Sequence, residues 1–179
     1  MLASHFKMMS LYNMRMNLQL LSCCSELSVQ QLNQNMGSFF PTVLANWNHL
    51  LFGDLVMLRR FSDSHIGSLI DGDLEQFPEA VSPDDTYSKK LDELESWRTA
   101  LDNVIVNWCS ELHDDDCKKA ISYTTTEGDL VSRQARDVIQ HMFNHQTHHR
   151  GQLTSILCSF GIDYGCTDLP IIVPEGSQA

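Results

Sequence analysis

The sequence predicts an all-α protein, a bundle of long helices with one small β-hairpin before the last helix. Three observations predict it. Four stretches carry apolar residues at alternating three- and four-residue steps, the pattern of a helix with a buried stripe. A chain of 179 residues, 42% of them hydrophobic, suits one domain with a real core. Residues 120–132 are rich in strand-favouring side chains around a Glu127-Gly128 pair that can turn.

The first helix is expected over residues 4–27. Phe6, Met9, Met16, Leu20 and Cys23 form its stripe, and Asn13 sits on the same stripe. A polar group in a seam is costly without a partner. Asn13 is therefore expected to fix helix register through a hydrogen bond, or to line a site. The second helix is expected over 38–61, with Ser38 as its cap and Pro41 in its first turn. Leu44, Trp47, Leu51, Leu55 and Leu58 make one face, and Ala45, Phe52 and Val56 a second, so this helix should be buried on several sides. His49 lies on the second face, and Asp54 is another polar residue in the apolar stretch.

Residues 62–86 read as a long connection that packs through Ile66, Leu69, Ile70, Leu74 and Phe77. The third helix is expected over 87–112, buried through Leu94, Trp97, Leu101, Val104 and Trp108. A short acidic segment follows, with Asp114, Asp115 and Asp116 read as a solvated loop. Then come the hairpin strands over 120–126 and 129–132. The fourth helix is expected over 133–160, with Gly161 as its stop. The tail, 162–179, is expected to drape over the surface. The whole chain reads as one domain, with a core over 4–162 and the tail 163–179.

The net charge is -11, and a nucleic-acid or anionic membrane surface calls for the opposite sign. No nucleic acid and no membrane is the expectation. No apolar run approaches the roughly 20 residues that span a bilayer, and the N-terminal residues lack a secretory layout. Cys23, Cys24, Cys109, Cys117, Cys158 and Cys166 form no CxxC pair, so reduced thiols and a cytoplasmic location are expected. The adjacent Cys23 and Cys24 read as helix packing.

Four histidines crowd into nine residues: His141, His145, His148 and His149. His141, His145 and His149 recur every four residues and are read as pointing toward the core, with His148 nearer the edge. Several buried imidazoles need partners and resist being charged together. A metal ion satisfies both demands. His145 and His149 stand one turn apart, and His49 also lies in apolar surroundings. Three neutral imidazoles with an open position would make a reactive site; a purely structural histidine cluster is the alternative. A zinc protease is not expected, because Gln146 stands where HExxH has its general base.

The segment NHQTHHRGQL, with EGDL before its helix, resembles the signature of the DinB/YfiT-like metalloenzyme family. WNHLLFGDLVMLRRF resembles that family's second helix and HFKMMSLYNMRMN its first. The resemblance covers residues 4–162. It implies an antiparallel four-helix bundle of the up-down-down-up type, often a homodimer. It implies a divalent metal, zinc or nickel, held by His49, His145 and His149. The family pattern does not make His141 a ligand, and its place on the inner face puts it behind the ligands, where it could orient His145. The resemblance further implies a metal-dependent enzyme that activates a low-molecular-weight thiol or a water, as a thiol transferase or a hydrolase, on an unknown small molecule.

Tyr12, Asn13 and Asp54 are candidates to line the pocket or bond a ligand histidine, each with a structural reading beside it. Gln152 is placed to contact a metal-bound water or a neighbouring helix. Arg150 is read as a surface or dimer-interface salt bridge. A second functional reading is a non-catalytic metal-binding or structural homodimer, in which His141 or Asp54 could complete a closed site. A third is a dimeric interaction module with empty histidines.

Overall fold

The computed structural model describes residues 1–69, 71–125 and 128–173. It is mostly helical. Four long helices, α1 (Leu2–Cys24), α3 (Val43–Asp63), α4 (Leu91–Glu111) and α6 (Ala135–Ser159), carry the core. Three short ones, α2 (Val29–Leu32), α5 (Asp114–Lys118) and α7 (Leu169–Ile172), lie in the connections and the tail. α1 packs on α4 and α6, while α3 packs on α6 and α4. Among the described residues, no helix is long and apolar enough to cross a membrane.

The stripes read from the sequence bury as expected in α1 and α3. Phe6, Met16, Leu20 and Cys23 are inside, with Met9 only partly covered, and all five of Leu44, Trp47, Leu51, Leu55 and Leu58 are buried. Cys23 and Cys24 are both free and buried. α4 differs. Its buried stripe runs through Leu94, Arg98, Leu101, Asp102, Ile105, Trp108 and Cys109, leaving Trp97 and Val104 only partly covered.

Helix starts are the main corrections. The expected cap at Ser38 is replaced by Thr42, whose side chain accepts from the Ala45 N–H at 3.0 Å. Residues ahead of it are held back from the helix, because Asn46 Nδ2 donates to Phe40 O and Thr42 O, both at 2.9 Å. The third long helix starts at Leu91 because Asn48 Oδ1, on α3, accepts from the N–H groups of Tyr87 and Ser88 at 2.7 and 3.1 Å. The last helix starts at Ala135 because Arg133 and Gln134 are still paired in a strand.

That strand belongs to the expected hairpin. β1 (Ala120–Thr124) and β2 (Leu130–Gln134) pair antiparallel, with Ser122 opposite Ser132. Glu127, half of the expected turn, lies outside the described residues, as does Ile70. Ile66, Leu69, Leu74 and Phe77 pack as expected, and Trp108 Nε1 donates to Ile66 O at 2.8 Å.

Gly161 ends α6 with φ 76°, and the N–H groups of Gly161 and Ile162 donate to Cys158 O and Leu157 O. This is a Schellman stop, which an L side chain would strain. The chain then runs over the surface along α1, as expected. Gln19 Nε2 donates to Tyr164 O at 2.6 Å, and Tyr12 OH donates to Thr167 O at 2.8 Å. The acidic run is a short helix, not a solvated loop: the Ala3 N–H donates to Asp114, and Asp116 pairs with Lys119 at 2.7 Å.

Candidate metal centre

α3 and α6 bring three imidazoles together. One ring nitrogen from each of His49, His145 and His149 lies within 4.8 Å of the other two. No carboxylate or thiol joins this group among the described residues. His149 is buried, and His49 and His145 are half-buried.

Each ring is oriented from behind. His49 Nδ1 lies 3.3 Å from Pro83 O. A carbonyl only accepts, so Nδ1 carries the proton and Nε2 keeps its lone pair. Phe40 stacks on the same ring with centroids 3.8 Å apart. His149 Nδ1 lies 2.9 Å from Gln152 Oε1, which again leaves Nε2 as the lone-pair nitrogen. Gln152 Nε2 also reaches His148 Nε2 at 3.3 Å. The His145 ring rests on Gly53, where an added Cβ would come 2.5 Å from His145 Cε1.

These residues fit a divalent cation. His49 Nε2 and His145 Nε2 stand 3.1 Å apart. Two imidazoles on one tetrahedral ion at about 2.1 Å would be about 3.4 Å apart. Burial pushes His145 down to about 3, with the neighbouring imidazoles adding to it, and burial pushes His149 down to about 4. His49 is also lowered, first by burial. All three are therefore neutral near pH 7, the form that binds metal.

The remaining expected site residues are elsewhere. His141 is exposed, its ring centroid 6.2 Å from that of His145. The buried stripe of α6 is centred near Gln146, and at 3.6 residues per turn His141 falls roughly 140° away. Its placement on the inner face is therefore corrected. Tyr12 lies along the C-terminal segment, beside a cavity of about 140 Å³ that it shares with Thr147, Arg150 and Thr167. Asn13 and Asp54 do not bond the histidines; they belong to a polar cluster beneath them.

That cluster spans all four long helices. On α4, Arg98 pairs with Asp54 of α3 at 2.7 Å and with Asp102 at 2.9 Å. Asp102 accepts from Asn17 Nδ2 at 3.1 Å and from Asn13 Nδ2 at 3.4 Å, both on α1. Arg150 of α6 donates to Asn13 Oδ1, and to Asn17 Oδ1 and Gln146 Oε1 at 3.2 Å each. Gln146 Nε2 donates to Asp54 and closes the ring. Every member is buried, none more than 4% exposed. Arg150 is thus internal, not a surface or interface salt bridge. Burial pushes Arg150 down to about 10, so it stays charged at neutral pH. Burial opposes the charge on Arg98, but Asp102 and Asp54 outweigh it and raise its pKa.

Asp54 therefore pairs with an arginine and stands outside the three-histidine group. Arg98, Asp102, Asn17 and Gln146 were not singled out for this role by the sequence reading. Arg98 and Asp102 stand four apart on the apolar Leu94–Leu101–Ile105 stripe, and that signal could have found them.

The chain is similar to known proteins over nearly its whole length. A model of the DinB family matches residues 1–173. The chain belongs to the DinB family. It is 23% identical over 157 residues to protein DinB of Bacillus subtilis (strain 168), covering 88% of this chain and 87% of the relative. No solved structure matches it. The resemblance carried by NHQTHHRGQL thus holds over nearly the whole chain, and this DinB family member has a three-histidine cluster that could hold a metal ion.

Proposed function

We propose that this protein is a metal-dependent enzyme whose centre is His49, His145 and His149. The observation that carries the reading is the convergence of three neutral imidazole nitrogens within 4.8 Å, with no acidic or thiol ligand beside them among the described residues. Three protein ligands are the set used where a fourth position is kept for a reacting molecule. A divalent ion, zinc or nickel, would supply Lewis acidity, lowering the pKa of a thiol or water so that its anion forms near neutral pH.

The chain's own groups prepare that position. Pro83 O and Gln152 Oε1 fix the protons of His49 and His149 on Nδ1, so both Nε2 atoms present lone pairs. Phe40 lies over His49 and edge-on to His149, centroids 5.4 Å apart, and keeps water from that side. The co-reactant in this reading is a low-molecular-weight thiol, with transfer of the thiol to an electrophilic small molecule; hydrolysis is the variant in which water takes its place. His141 is not part of this proposal, and Tyr12, Asn13 and Asp54 support the helices. The contacts of α1 with α4 and α6, and of α3 with both, support an up-down-down-up four-helix bundle. A homodimer acting in the cytoplasm completes the reading.

The test is elemental analysis of untagged protein beside His49→Ala and His145→Ala, followed by thiol titration of cobalt-loaded protein. About one equivalent of one metal, lost in both variants, with a thiol-dependent change in the cobalt spectrum, is the expected result. No metal after reconstitution with zinc or nickel would overturn the reading. Metal without any spectral response to cellular thiols would leave the hydrolytic form alone.

A further inference from the structure

Beneath the three histidines lies a closed ring of four charges and three amides. Taken in order it runs Asp54, Arg98, Asp102, Asn17 with Asn13, Arg150 and Gln146, then back to Asp54. Two arginines balance two aspartates, so the ring is neutral as a whole. Stability is a poor account of it. Four buried charges are costly to desolvate, and well-packed apolar residues in their place are often as stable or more so. What such a ring supplies is direction. Apolar contacts between helices are non-directional and tolerate sliding, whereas hydrogen bonds and ion pairs fix the approach of the groups they join.

Its location gives that direction a use. Gln146 follows His145 and precedes His149 by three residues, and Arg150 follows His149. On α3, Asp54 is five residues after His49 and adjoins Gly53, on which the His145 ring rests. The Gln146–Asp54 bond therefore joins the ligand-bearing segments of α3 and α6 at the level of the ligands.

We infer that this ring is a positioning device for the metal: it locks α6 against α3 so that His145 and His149 meet His49 at coordinating distance. The inference rests on the three-histidine metal centre proposed above. Gln146 is its key member, because it links the two helices and none of the four charges is lost with it. Asp54, Arg98 and Arg150 hold Gln146 in place.

The test compares zinc affinity, by chelator competition, and the visible spectrum of the cobalt form across folded variants. Gln146→Met removes the α3–α6 bond with little change of volume. Asp54→Leu/Arg98→Met removes one charge pair together with the acceptor of Gln146 and keeps the ring neutral. Leu20→Ala, on α1, serves as a control for a loss of stability that removes no member of the ring. Circular dichroism and thermal unfolding establish folding in each case. The expected result is zinc binding weakened roughly tenfold or more in both ring variants, with a changed cobalt spectrum, and Leu20→Ala unchanged in both. Should Gln146→Met not fold, the double variant decides. Wild-type affinity and spectrum in folded ring variants, or a loss no greater than that of Leu20→Ala, would overturn the inference while leaving the metal centre standing. Absence of metal binding in the wild type would overturn both.

Discussion

The ring of His145 lies against Gly53, so close that a Cβ on Gly53 would stand 2.5 Å from Cε1 and 3.0 Å from Nδ1. One helix thus yields side-chain volume so that a ligand of the other can reach across it. Gly53 is inside α3, where glycine costs about 1 kcal/mol relative to alanine, and the close approach accounts for its presence.

Gly53→Ala should favour the helix and disfavour the site. The protein is expected to fold, with zinc affinity reduced roughly 10- to 100-fold, the scale on which a ligand's orientation matters. Chelator competition measures it. Undiminished affinity would mean that His145 does not need this cradle.

Gln152→Leu should loosen His149 without removing a ligand. The acceptor of the Nδ1 proton, 2.9 Å away, would be gone. A loss of roughly 10- to 100-fold in metal affinity is expected, with the melting temperature of metal-free protein little changed. Isothermal titration of the two proteins with zinc would show it, and equal dissociation constants would refute it.

In metal-free protein, burial holds His145 at about 3 and His149 at about 4, against about 6.5 in an unfolded chain. As pH falls below about 6.5, the unfolded state takes up protons that the folded state refuses. Stability from this source is therefore complete above about pH 6.5 and declines as pH drops toward 4 and then 3. Thermal scans of chelator-treated protein should show this decline, and a His145→Asn/His149→Asn variant should decline less between about pH 6.5 and 5. Parallel curves would remove these histidines as its cause.

Arg98→Met alone should be severe. It leaves Asp54 and Asp102 buried without their cation, a change that costs about 3–5 kcal/mol in such settings. Urea unfolding of metal-free protein gives the number. A loss under about 1 kcal/mol would mean that the two carboxylates take up protons or water at little cost.

Much of the architecture was legible in the sequence because helical periodicity is a local property. The stripes of α1 and α3, the hairpin and the Gly161 stop all follow from neighbours within a few residues. The histidine pair of α6 was legible for the same reason, since positions four apart share a face. Helix starts were less so. Ser38 and Thr42 are both acceptable caps, and only Asn46 and Asn48, bonding Phe40 O and the Tyr87–Ser88 backbone, decide where α3 and α4 begin.

What the sequence alone determined is the four long helices, the place of the HxxxH pair and membership of His49 in an apolar face. The tertiary structure decided which polar residues go inside. Gln146 and Arg150 look like surface residues on a single helix, Arg98 and Asp102 differ from surface residues only in sharing the Leu94–Leu101–Ile105 stripe, and His141 looks as inward as His145. A buried charge is tolerated only when other charges and amides meet it from several directions. Here the partners come from four helices far apart in sequence, so the ring exists only where those helices converge.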